Sequence, residues 1–119
     1  MKKKILVCDD EQHIVKLIQV NLEKHGHEVF VANDGREALK IIKEVDPDVC
    51  ILDVMMPYVD GIEVLKSIRK DPNTEHILVI MITVKAQDED VFKAYSSGAD
   101  LYLTKPFDPI EVIKFLELI

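Results

Sequence analysis

The sequence predicts an α/β domain of the doubly wound kind, with a parallel sheet covered by helices on both faces. Three observations predict it. Ile5 to Cys8, Val49 to Leu52 and Ile77 to Ile82 are unbroken apolar runs of strand length, the pattern of strands buried on both faces. Stretches with apolar residues at helical spacing lie between such runs. The two patterns alternate strictly along the chain, giving strand then helix five times. Strict alternation implies parallel strands joined by right-handed crossovers.

The elements follow in order. Ile5 to Cys8 is the first strand, and Ile14, Leu17, Ile18 and Leu22 stripe the first helix, which Gly26 ends. Val29 to Ala32 is a shorter strand. A second helix follows, with Asp34 as N-cap, a stripe of Ala38, Ile41, Ile42 and Val45, and a stop at Asp46-Pro47. After Val49 to Leu52, Ile62, Leu65 and Ile68 stripe a third helix that stops at Asp71-Pro72. The fourth strand is Ile77 to Ile82. The acidic run Asp88-Glu89-Asp90 starts a fourth helix, striped more weakly by Val91, Ala94 and Tyr95 and ended by Gly98. Leu101 to Leu103 is the last strand. Asp108 caps the last helix, with Pro109 in its first turn and a stripe of Val112, Leu116 and Ile119.

A length of 119 residues suits a single domain spanning 1–119. Hydrophobic residues make up 48% and charged residues 31%, a globular balance. A net charge of -7 argues against nonspecific nucleic-acid binding and against an anionic membrane surface. No apolar run reaches the roughly 20 residues that cross a bilayer, and Met1-Lys2-Lys3-Lys4 leads into an apolar stretch too short for a signal peptide. Cys8 and Cys50 both lie in buried strands and read as free thiols in a reducing compartment. The expected location is therefore the cytoplasm. The last helix runs to Ile119 without a polar tail, which suits either a single-domain protein or a domain cut from a longer chain.

The chemistry sits at the strand ends. Asp9 and Asp10 end the first strand, Asp53 the third, Thr83 the fourth, and Lys105 follows the fifth. In an open parallel sheet these ends share one edge, where ligands bind. Acids after a strand commonly just begin a helix, where the macrodipole favours them. Three crowded carboxylates, however, raise one another's pKa unless a cation sits among them. Mg²⁺ suits such a site, because it takes oxygen ligands and keeps several waters. Lys105 precedes Pro106, and a cis X-Pro bond would turn the lysine back toward the site. With the Thr83 hydroxyl, it would neutralise a transferring phosphoryl group. A carboxylate is then the nucleophile, forming an aspartyl phosphate.

Asp9-Asp10, Asp53-Val54-Met55-Met56-Pro57, Gly61, Thr83 and Lys105-Pro106-Phe107 together resemble the response-regulator receiver domains of two-component signal transduction, over almost the whole chain. The resemblance implies a flavodoxin-like (βα)5 fold with a five-stranded parallel sheet of order 2-1-3-4-5. It implies that Asp53 accepts a phosphoryl group from a sensor histidine kinase, a phosphotransfer protein or a small phosphodonor. It implies Mg²⁺ on Asp10, Asp53 and the Met55 carbonyl, with Asp9 acting mostly through water. Thr83 and Lys105 would hold the phosphoryl oxygens. Thr83 and Tyr102 would couple the site to the face made by the fourth helix, fifth strand and fifth helix. Met55 and Lys85 would flank the path of the attacking water and tune hydrolysis. The protein would be a switch that takes part in its own phosphorylation and dephosphorylation, not an enzyme.

Two other functions fit less well. A flavin carrier of similar layout needs a Ser/Thr/Gly-rich phosphate loop where this chain has Asp9-Asp10-Glu11-Gln12. A phosphohydrolase needs a substrate-shaping cap, for which 119 residues leave no room. His13, His25, His27 and His76 show no ligand spacing and read as surface residues. Receivers of the winged-helix transcription-factor branch pair through charged residues on the switched face. Here the matching positions hold Val91, Leu101 and Phe115, while Glu111 stays acidic. If exposed together, the three form a small apolar patch for an output partner. The expectation is a largely monomeric unphosphorylated protein that docks a partner there.

Overall fold

The computed structural model describes residues 2–119. Ten elements alternate along the chain: β1 (Lys4–Cys8), α1 (Gln12–Lys24), β2 (Glu28–Ala32), α2 (Gly35–Val45), β3 (Val49–Leu52), α3 (Gly61–Lys70), β4 (Leu78–Thr83), α4 (Asp88–Ser96), β5 (Leu101–Thr104) and α5 (Pro109–Glu117). All strand pairs are parallel, in the order β2-β1-β3-β4-β5. This is the flavodoxin-like layout the sequence predicts.

Alternation along the strands sorts the core into two layers. Leu6, Cys8, Cys50, Leu52, Val79 and Met81 face α2, α3 and α4. Ile5, Val7, Val49, Ile51, Ile80 and Ile82 face α1 and α5. Because both faces are covered, β1, β3 and β4 are apolar at nearly every position. Cys8 and Cys50 are free and buried, and burial pushes the Cys50 thiol up to about 12. Among the described residues, no helix is long and apolar enough to cross a membrane.

Local chemistry sets the helix ends. The Asp34 carboxylate accepts the Glu37 N–H at 2.9 Å at the start of α2, and Asp108 accepts the Ile110 N–H at 3.0 Å beside Pro109. Asp60 and Glu63 form a capping box on α3.

Several expectations need correction. Leu17 is 42% exposed, and the buried line of α1 is Val15, Ile18 and Leu22. Tyr95 is 45% exposed and Ala94 is the buried residue of α4. Ile119 lies beyond α5, whose inner face is Val112, Ile113 and Leu116. His27 is half-buried, its Nδ1 accepting the Lys3 N–H at 3.1 Å. Val91, Leu101 and Phe115 do not form an exposed patch. All three are half-buried, with Leu101 and Phe115 packed on the layer under α1 and α5. The fully displayed aromatic of α4 is Phe92, 74% exposed.

Candidate functional site

Backbone pairing aligns the strand ends. The Asp53 N–H donates to the Cys8 carbonyl at 3.1 Å, which sets Asp53 beside Asp9 at the end of β1. Thr83 pairs in register with Thr104, and the Lys105 N–H donates to the Thr83 carbonyl at 2.8 Å. The Lys105–Pro106 peptide is cis. Gly61 opens α3 directly against the end of β3, where a Cβ would run into the Asp53 carbonyl. Only glycine lets α3 begin so close to the end of β3.

Three acids surround one ammonium, and a fourth lies beside two of them. Lys105 Nζ lies 2.8 Å from Asp9 Oδ2, 2.9 Å from Asp53 Oδ2 and 2.6 Å from Glu11 Oε1. Asp9 and Asp53 are buried, while Asp10 and Glu11 are exposed. Oxygens of Asp9, Asp10 and Asp53 all lie within 4.8 Å of one another. Backbone amides fix the remaining oxygens: the Glu11 N–H donates to Asp9 Oδ1 at 2.9 Å and the Met55 N–H to Asp53 Oδ1 at 3.0 Å.

The ionisation of the cluster follows from burial and pairing. Burial lifts Asp9 above the usual carboxylate range against the opposing pull of Lys105. Lys105 holds Glu11 below that range. Burial would lower Lys105, but its hydrogen bonds to Asp9, Glu11 and Asp53 more than offset this and raise it. One lysine among four acids leaves a strong excess of negative charge. A donor set made only of carboxylate oxygens, with an open side, fits a hard divalent cation such as Mg²⁺.

The residues beyond the acids take distinct places. Thr83 is fully buried, and its Oγ1 accepts the Lys85 N–H at 3.4 Å. Asp10, Met55, Met56, Pro57, Asp60 and Lys85 contribute to the lining of an open depression of about 550 Å³. The Lys85 side chain is exposed, with Nζ 3.9 Å from Asp90. Tyr102 is half-buried and its hydroxyl donates to the Lys85 carbonyl at 2.6 Å. Tyr102 thus touches the loop that follows Thr83. Glu111 stands exposed on α5.

Glu11 is the member of the cluster that sequence reasoning missed. Its signal was a third acid directly after Asp9-Asp10. What hid it was its pairing with Lys105, 94 residues away.

Strand-end acids and one lysine thus meet in a crevice at one edge of this sheet. Residues 5–117 match the response regulator receiver domain family, and the chain belongs to that family of two-component signalling proteins. It is 50% identical over 112 residues to the alkaline phosphatase synthesis transcriptional regulatory protein PhoP of Bacillus subtilis (strain 168), covering 94% of this chain and 46% of the relative. The chain thus spans less than half the length of that relative. The receiver domain of Francisella response regulator 1452 is similar at a TM-score of 0.89 and 38% identity, covering 98% of this chain and 94% of that one. Vibrio cholerae chemotaxis protein CheY4 is similar at 0.91 and 33%, covering 100% and 99%.

Proposed function

We propose that residues 1–119 act as one phosphorylation-controlled switch domain with Asp53 as the phosphoacceptor. The observation that carries this reading is the meeting of Asp9, Asp53 and Lys105 within hydrogen-bond distance at the end of three strands. An Asp53 oxygen attacks the phosphorus of a phosphohistidine, on a sensor histidine kinase or a phosphotransfer protein, or of a small acyl phosphate. The new O–P bond forms as the bond to the leaving group breaks, and the leaving group takes up a proton where its basicity requires one. Lys105 offsets charge on the phosphoryl oxygens, and the Thr83 hydroxyl donates to one of them. Asp10, Asp53 and the Met55 carbonyl would hold Mg²⁺, with Asp9 acting through water. When bound, the ion supplies charge neutralisation for the incoming phosphoryl group.

Thr83 and Tyr102 would transmit the event to the face of α4, β5 and α5. Their connection through Lys85, whose N–H meets Thr83 and whose carbonyl meets Tyr102, supports that route. Glu111 is exposed and Val91, Leu101 and Phe115 are half-buried, and all four belong to the face that an output partner would read. Met55 and Lys85 both contribute to the lining of the depression, which supports a role for them in setting how fast water removes the phosphoryl group. The domain takes part in its own phosphorylation and is not an enzyme acting on a separate substrate. It works without direct contact to nucleic acid or membrane.

The decisive experiment is incubation with acetyl phosphate and Mg²⁺, read by intact-protein mass spectrometry. One phosphoryl mass is expected on the wild type, and none on Asp53→Asn or in EDTA. An equal mass gain in Asp53→Asn removes the acceptor assignment.

A further inference from the structure

An ammonium has three N–H donors, and that of Lys105 meets three carboxylates: it donates to Asp53 and Glu11 and lies 2.8 Å from Asp9. The acceptors are not equivalent. The Asp9 and Asp53 side chains are 4% and 6% exposed, whereas Glu11 is 44% exposed. A buried carboxylate that loses its cation is left without water, while an exposed one is simply rehydrated. Asp9 is also held by the Glu11 amide. A phosphoryl group on Asp53 offers Lys105 oxygens that lie beyond the carboxylate. Reaching them shifts the ammonium and lengthens at least one of its other contacts. The contact that solvent can replace is the one to Glu11.

We propose that Glu11 is a positioning residue that competes with the phosphoryl group on Asp53 for the Lys105 ammonium, and that phosphorylation releases its side chain. The proposal rests on Asp53 being the acceptor. In the resting state Glu11 draws Lys105 outward and opposes phosphoryl capture. On release, a free carboxylate is displayed at the N-cap of α1, where Glu11 makes no side-chain cap bond. Phosphorylation then has a second surface consequence, at α1, separate from the Tyr102 route.

The test uses the phosphoryl mimic beryllofluoride at saturating Mg²⁺. Half-saturation is compared in wild type and Glu11→Gln, and the side-chain carboxyl ¹³C resonance of Glu11 is followed in the wild type. Glu11→Gln should bind beryllofluoride about two- to fivefold more tightly, the range an exposed ion pair is worth. The Glu11 resonance should move as the wild type saturates. Urea unfolding without beryllofluoride should show Glu11→Gln losing no more than about that same two- to fivefold factor in its folding equilibrium, which separates the lost ion pair from a wider change in folding. Unaltered half-saturation in Glu11→Gln, or a Glu11 resonance that stays in place, overturns the proposal while leaving Asp53 as acceptor. A wild type that does not bind beryllofluoride overturns both.

Discussion

At the scale of single residues, His27 shows how position decides whether a histidine titrates quietly. Its Nδ1 accepts the Lys3 N–H at 3.1 Å, so protonation would turn that acceptor into a second donor. Burial, and then the nearby positive charge of Lys3 and His25, lowers its pKa below 6.5. A depressed value in the folded state means that the unfolded chain binds the proton first. The stabilising contribution is therefore complete above 6.5 and is lost as pH falls through the folded-state value. Asp9 works in the opposite sense, since its raised pKa makes the folded protein the better proton binder. Comparing variants cancels that contribution. The urea midpoint of His27→Asn should fall less than that of the wild type between about pH 7 and pH 5, a window above the ordinary carboxylates. Parallel pH profiles would show that His27 is not coupled to folding.

At the scale of elements, one arginine ties together three of them. Arg69, in the last turn of α3, donates from Nε and Nη2 to the Gly98 carbonyl at 3.0 and 2.8 Å. Its Nη1 reaches the Glu75 and Ile77 carbonyls at 2.9 and 2.6 Å, and Nη2 meets Asp100 at 2.9 Å. Asp100 in turn accepts the Val79 N–H at 2.8 Å, so the fork joins α3, the start of β4 and the turn into β5. Gly98, at φ +108, lies so close that a Cβ would press on the Arg69 side chain. Arg69→Met strands several partly buried carbonyls and should lower stability by about 2–3 kcal/mol, read from urea unfolding. Arg69→Lys should recover little of it, because a point donor cannot span the fork. A loss below about 0.5 kcal/mol, the size of an ordinary surface substitution, would mean that water replaces the network.

The same scale explains what was legible. The strands could be read because burial on both faces leaves unbroken apolar runs. Asp34 and Asp108 cap through side chains only two or three residues away, and such short-range chemistry shows in sequence. Helix faces were less legible, since a 3.6-residue stripe does not say which flank meets the sheet. Leu17 and Val15 border Ile18 and Leu22 on opposite sides, and the sheet took Val15. Tyr95 turned outward because β5 is an edge strand, and the Tyr95 hydroxyl accepts the Tyr102 N–H at 3.0 Å. Arg69 and Glu11 were hidden for one reason. Their partners are distant in sequence, and a charged residue on a helix or loop has many possible mates. The acids and the lysine of the site were legible because each ends a strand, and topology alone brings strand ends together.

At the scale of the whole molecule, the question is whether the free protein pairs with itself. The positions through which transcription-factor receivers pair hold Val91, Leu101 and Phe115, and these are half-buried in the protein's own layers. They have little further apolar surface to offer. Phe92, 74% exposed, is the large side chain still available on α4, with Tyr95 at 45% beside it. Burying one side chain of this kind contributes about 1.5–3 kcal/mol. A symmetric pair would bury two from each copy, at most about 6–12 kcal/mol, against roughly 4–15 kcal/mol for holding two molecules together, which leaves no clear surplus. A net charge of -7 on each copy adds repulsion. Sedimentation at micromolar concentration should therefore find a monomer without phosphoryl mimic. With beryllofluoride and Mg²⁺, the altered face should favour an output partner over a second copy, so no tight homodimer is expected. Phe92→Ser should leave sedimentation unchanged and weaken capture of that partner once it is identified. A tight, activation-dependent homodimer that Phe92→Ser disrupts would contradict this and make self-pairing the output of the switch.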